Sequence, residues 1–115
     1  MAGLKDVNIL LVEDDPFNRI ISGQLFQILD IRHDLANDGM QAFEMAKVKL
    51  YDLILMDISM PGMDGYESTR KIRTLPGYHD KPVIALTADA SEVVKKELRT
   101  GLFTDIIIKP VLLTT

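Results

Sequence analysis

Apolar positions along this chain fall into two rhythms. Short unbroken runs, VNILLV at 7–12, DLILM at 52–56, PVIAL at 82–86 and DIII at 105–108, have the length and β-branched content of strands buried on both faces. RHDLA at 32–36 makes a weaker second strand. Between these runs the apolar residues return at helical spacing. Asp15 can cap a helix that carries Pro16 at its first position, with Phe17, Ile20, Ile21, Leu25, Ile28 and Leu29 following and an end near Asp30. A second helix is predicted from about Gly39 to Lys49 with Ala42, Phe43 and Ala46 inward, and a third from Tyr66 to about Arg73, ended by Pro76 and Gly77. A fourth is predicted from Ser91 to Thr100, with Ser91 as N-cap and Gly101 just past its end. Strand and helix alternate throughout. That order calls for one α/β domain over 1–115, a parallel sheet with right-handed crossovers and helices on both faces.

Such a sheet places its working groups beyond the carboxyl ends of its strands. Asp14 follows the first strand, Asp57 the third, Thr87 ends the fourth and Lys109 follows the fifth, so the four are expected along one edge. Carboxylates brought together repel unless a cation sits among them. Mg2+ suits that role, because it takes one or two carboxylates and keeps coordination sites for phosphate oxygens. A carboxylate there can attack a phosphoryl group, while a lysine and a threonine hydroxyl meet the charge on its oxygens. Taken singly, each residue has a plainer explanation: acids after a strand cap helices, an aspartate starts a turn, a threonine belongs in a strand. Asp15, next to Pro16, is read as such a cap and left out of the site.

Composition narrows the options. The chain has 115 residues, long enough to bury a core. A net charge of −4 argues against a broad basic surface for nucleic acid or anionic membrane. No cysteine is present, so no disulfide or thiol nucleophile is used. No apolar run reaches the length of a membrane span, and neither membrane insertion nor a secretory signal is expected, which leaves the cytoplasm as the expected compartment.

The ordered set of Glu13–Asp14, Asp57 in LMDISMPGMDG, Thr87 followed by Ala88, and Lys109 before Pro110 resembles the receiver domains of two-component response regulators over essentially the whole chain. The resemblance implies a doubly wound five-stranded sheet in the order 2-1-3-4-5. It implies that Asp57 accepts a phosphoryl group from a histidine kinase or histidine phosphotransfer domain. Mg2+, for which Mn2+ can substitute, would be held by Asp14, Asp57 and the Ser59 carbonyl, with Glu13 acting mainly through metal-bound water. Lys109 would pair with Asp57 and then with the phosphoryl group, and Thr87 would move toward it and shift the surface after strand four. The style of MPGMDGYE is closest to receivers fused to sensor kinases.

Two departures matter. Where this family usually has an aromatic residue three positions before the lysine, the chain has Ile106, so rotamer gating by that ring is impossible. After Pro110 only VLLTT remains, so the fifth helix is expected to be missing or truncated, leaving an apolar face of helix one, strand five, Val111, Leu112 and Leu113 open to homodimerisation. Two rival classes share parts of this pattern. An inert receiver-shaped interaction module would retain the shape without the chemistry. An aspartyl-phosphate phosphatase would want a second acid at position 59, which is Ser59 here.

Overall fold

The computed structural model describes residues 7–58, 65–87 and 101–108. Its elements run β1 (Ile9–Val12), α1 (Pro16–Ile28), β2 (His33–Ala36), α2 (Gly39–Val48), β3 (Leu53–Asp57), α3 (Gly65–Arg73), β4 (Val83–Thr87) and β5 (Asp105–Ile108). The strands form a parallel sheet in the order β2-β1-β3-β4-β5, as the resemblance implied. The predicted helix 91–100 and the tail on which a missing fifth helix turns lie outside the described residues.

β1 lies between β2 and β3, with Ile9 opposite His33 and Leu53 and Val12 opposite Ala36 and Met56. All four of its side chains are buried, which is why its run is unbroken rather than alternating. Leu10, Val12, Ile54, Met56, Val83 and Ala85 face the layer made by α2 and α3, where Ala42, Ala46 and Ile72 close the larger core. Ile9, Leu11 and Leu86 face the other way and pack on Phe26 of α1.

α1 begins as predicted, with Asp15 accepting from the Phe17 N–H at 2.9 Å and Pro16 in the first turn. It ends with Asp30 in the left-handed region at φ 57°, and the Ile31 N–H returns to the Phe26 carbonyl at 2.8 Å. Its inward face differs from the apolar spacing in the sequence. Phe26, roughly 180° around the helix from Phe17, is its buried residue, while Phe17 is 67% and Ile28 68% exposed. Leu25 is half-buried, and with Leu11, Ser22, Phe26, Leu55, Leu86 and Ile107 it lines an apolar cavity of about 190 Å³ under the helix.

At the amino ends of the strands a polar network ties the layers together. The Tyr51 hydroxyl donates to Asp34 Oδ2 at 2.7 Å, and Lys49 Nζ reaches the same oxygen at 3.0 Å. The Tyr78 hydroxyl accepts from the Tyr51 N–H at 2.8 Å and donates to the Lys49 carbonyl at 2.6 Å. Arg73, at the end of α3, spans three carbonyls, those of Tyr78 (3.0 Å), Lys81 and Leu102 (3.0 Å), and so joins α3 to the approaches of β4 and β5. Burial holds its guanidinium below the usual arginine range.

The Tyr51 hydrogen bond, and after it the one from Lys49, holds the Asp34 carboxyl below its ordinary value of 3.8. A folded value below the unfolded one contributes stability that is present above about pH 4 and lost as pH falls through the folded value. Asp34→Asn should therefore flatten the loss of stability on acidification, read by urea unfolding between about pH 7 and about pH 3. Equal acid slopes in the two proteins would contradict this account.

Gly65 governs how closely α3 approaches β3. A Cβ there would sit 2.6 Å from the Asp57 carbonyl oxygen and 2.7 Å from Ile58 Cα, both backbone atoms that cannot rotate away. Gly65→Ala is expected to cost about 2–3 kcal/mol in unfolding free energy and to shift the end of β3. An unchanged urea midpoint would show that α3 can retreat freely.

Candidate functional site

β1 stops at Val12, and the chain turns out of the sheet through Glu13, Asp14 and Asp15. The Glu13 N–H still pairs with the Ala36 carbonyl at 3.1 Å, so Glu13 leaves the strand in a defined direction and its side chain is buried, 1% exposed. Asp14, next along, is half-buried. β3 runs one residue further and delivers Asp57 as its last member, fully buried. β1 and β3 are adjacent, so the two strand ends meet. Carboxylate oxygens of Glu13, Asp14 and Asp57 all lie within 4.8 Å of one another.

Thr87 occupies the last position of β4, buried, and its strand neighbours β3, with Leu86 opposite Asp57. The structure therefore gathers Glu13, Asp14 and Asp57 and sets Thr87 on the next strand end. Ser59 and Lys109 lie outside the described residues. Asp15 stays out of the cluster and caps α1, as expected. Ile106, opposite Ala85, is half-buried against the larger core, the place of a packing residue.

Side chains absent from the sequence reading also touch this corner. Asn18 Nδ2 donates to Glu13 Oε1 at 3.2 Å, and the Asp15 N–H approaches the same oxygen at 3.4 Å. Arg19 Nη1 donates to the carbonyls of Glu13 (3.1 Å) and Asp14 (2.9 Å). Gly65 abuts the Asp57 carbonyl. The available sequence signal was position: Asn18 and Arg19 stand in the first turn of a helix that starts directly after the acids, where side chains can reach back to the preceding loop.

Three carboxylates with oxygen-only donors, two of them buried, suit a hard divalent cation. Oxygen ligands and few protein groups are what Mg2+ takes, and the like charges would otherwise repel. The donor set fits the ion implied by the sequence.

A parallel sheet in the order 2-1-3-4-5 with an acidic corner where β1 meets β3 places the chain among α/β domains with a candidate cation site at the strand ends. The response regulator receiver domain family matches residues 9–114, and the chain belongs to it. It is 38% identical over 105 residues to the signal transduction histidine-protein kinase BarA of Escherichia coli K12, which covers 91% of this chain and 11% of that protein. It is 39% identical over 109 residues to the autoinducer 2 sensor kinase/phosphatase LuxQ of Vibrio vulnificus YJ016, 95% of this chain and 12% of that protein. The chain thus spans about a tenth of the length of these relatives, at 11% and 12%. Among solved structures, the receiver domain of the sensor histidine kinase PA1611 from Pseudomonas aeruginosa, with a magnesium ion coordinated in its active-site cleft, superposes with a TM-score of 0.82 at 38% identity, over 90% of this chain and 85% of that one. The receiver domain of yeast Ssk1, in complex with the histidine phosphotransfer protein Ypd1 of Saccharomyces cerevisiae, matches with a TM-score of 0.81 at 28% identity, over 97% and 84% of the two chains. The chain is a receiver domain, the phosphoacceptor module of two-component phosphorelays. Among the described residues no helix is long and apolar enough to cross a membrane.

A cation bound only by the folded corner must stabilise the fold by mass action. MgCl2 at a hundred times its dissociation constant should add about 2.7 kcal/mol to the unfolding free energy. EDTA should reverse the gain and Asp14→Asn should remove most of it. A denaturation curve indifferent to MgCl2 would contradict the cation site.

Proposed function

We propose that Asp57 is the residue that takes up the phosphoryl group, from a phosphohistidine of a histidine kinase or histidine phosphotransfer domain. Glu13, Asp14, Asp57 and the Ser59 carbonyl would hold Mg2+, with Glu13 acting mainly through water on the ion. Mn2+, with the same preference for oxygen ligands, can replace Mg2+. The observation that carries this reading is the convergence of three carboxylates within 4.8 Å at the ends of two adjacent strands, with Asp57 the most deeply buried.

A carboxylate oxygen of Asp57 forms the new O–P bond as the N–P bond of the donor breaks. The bonding pair stays on the imidazole, which leaves neutral when its other nitrogen carries a proton. Bound at the acidic corner, the ion supplies positive charge to the phosphoryl oxygens. Lys109 pairs with the Asp57 carboxylate before transfer and with the phosphoryl group after it. Thr87, buried at the end of β4, donates its hydroxyl to a phosphoryl oxygen, and its movement biases the segment that follows. Ile106 carries no ring to swing, so the signal passes through backbone and helix movement instead.

The module acts as a self-phosphorylating signalling domain rather than a turnover enzyme, in the cytoplasm, without nucleic-acid contact or membrane insertion. Phe17 and Ile20, 67% and 60% exposed in the first turns of α1 beside the acidic loop, support docking of the phosphodonor there. Ile107 and Ile108 on β5, with the apolar cavity beneath α1, support the further proposal of a homodimer through the α1–β5 face.

Acetyl phosphate with MgCl2 tests the reading. The expected product carries one phosphoryl group per chain, on Asp57, and Asp57→Asn carries none, as read by intact-mass and peptide mass spectrometry. Continuous release of phosphate over many turnovers would favour the phosphatase class. No modification at all would favour an inert interaction module.

A further inference from the structure

We propose that Arg19 is a positioning residue for the acidic corner: it clamps the β1–α1 loop so that Asp14 is presented to the cation before the cation arrives. The proposal rests on the functional reading above and deepens it.

The loop has three residues, and Arg19 donates to the carbonyl groups of all three. Its Nη1 donates to the carbonyls of Glu13 at 3.1 Å and Asp14 at 2.9 Å, while its backbone N–H donates to that of Asp15 at 2.9 Å. The Glu13 and Asp14 carbonyls mark the two peptide planes that flank the Asp14 Cα. Holding both planes settles φ and ψ at that residue, and so the direction in which its side chain leaves the backbone. Asn18, one residue earlier, holds Glu13 Oε1 at 3.2 Å. Two consecutive positions of the first helical turn therefore orient the two consecutive acids, one through its side chain and the other through its backbone.

Charge and geometry act in opposite senses here, which makes the proposal decidable. A guanidinium close to the acidic corner repels a second cation, so if only its charge mattered, removing it would tighten Mg2+ binding. If the clamp matters, removing it leaves the loop to be ordered by the ion itself. Ordering one residue's backbone corresponds to about tenfold in an equilibrium constant.

The test is calorimetric titration of MgCl2 into the 115-residue chain and into Arg19→Met and Arg19→Lys, alongside phosphorylation of Asp57 by acetyl phosphate as a function of MgCl2. Arg19→Met, which keeps an unbranched stem but no donor, should weaken Mg2+ binding about tenfold. The half-saturating MgCl2 for phosphorylation should rise more than the maximal rate falls. Arg19→Lys keeps the charge and replaces the planar fork by a shorter-reaching ammonium, and should weaken binding by a smaller factor. It serves as the deciding variant if Arg19→Met fails to give a cooperative urea transition in EDTA. Unchanged or tighter Mg2+ binding in a folded variant overturns the role of Arg19 and leaves the functional reading standing. A wild-type chain that binds no Mg2+ overturns both.

Discussion

Carboxylates of three residues cannot share one corner of a protein without positive charge among them, and this molecule is arranged around that constraint. Glu13 and Asp57 are almost wholly withdrawn from water and Asp14 partly so, with their oxygens within 4.8 Å. Like charges brought this close oppose one another, even where Asn18 and the Asp15 N–H donate to Glu13. The hydrophobic pairing of β1 with β3 holds the strand ends together regardless. A cation bound among these oxygens offsets that repulsion.

The two ends of the sheet divide the labour. At the amino ends, Tyr51, Tyr78, Asp34 and Lys49 satisfy one another, and burial together with the Asp34 hydrogen bond pushes the Tyr51 hydroxyl well above its usual range, so it stays a donor. Arg73 binds three carbonyls from separate approaches to β4 and β5. These contacts join elements rather than reacting groups, and they give the working edge a rigid base. At the carboxyl ends, among the described residues, Arg19 and Asn18 reach back over the loop, and Gly65 allows α3 to touch the backbone of Asp57. Asp57 thus lies against the start of α3 and beside the end of β4, where Thr87 sits.

α1 shows where one-dimensional periodicity misleads. Its apolar residues recur at helical spacing, yet Phe17, Ile20 and Ile28 point outward, and the sheet is met by Phe26 on the opposite side. Spacing tells that a stripe exists but not which layer it meets. That depends on the direction in which the three-residue loop releases the helix, and the loop is set by hydrogen bonds to Arg19. Asn18 and Arg19 were silent in the sequence for the same reason: polar residues at the start of a helix are common, and only contact with the acidic corner gives them meaning.

Much was nonetheless determined by sequence alone. Unbroken apolar runs alternating with capped helices require a parallel, doubly wound sheet, because strands buried on both faces need crossovers that cover both. The sheet rule then puts Asp14, Asp57 and Thr87 at one edge, and the structure has them at the ends of β1, β3 and β4. Tertiary structure decided the rest: that Glu13 is buried with the other two acids, that α1 turns Phe26 inward, and that an arginine holds the loop. Those outcomes depend on distances between segments far apart in the chain or on the angle at which one element leaves another. Neither quantity is written in the order of residues, since each is the result of packing all the layers at once.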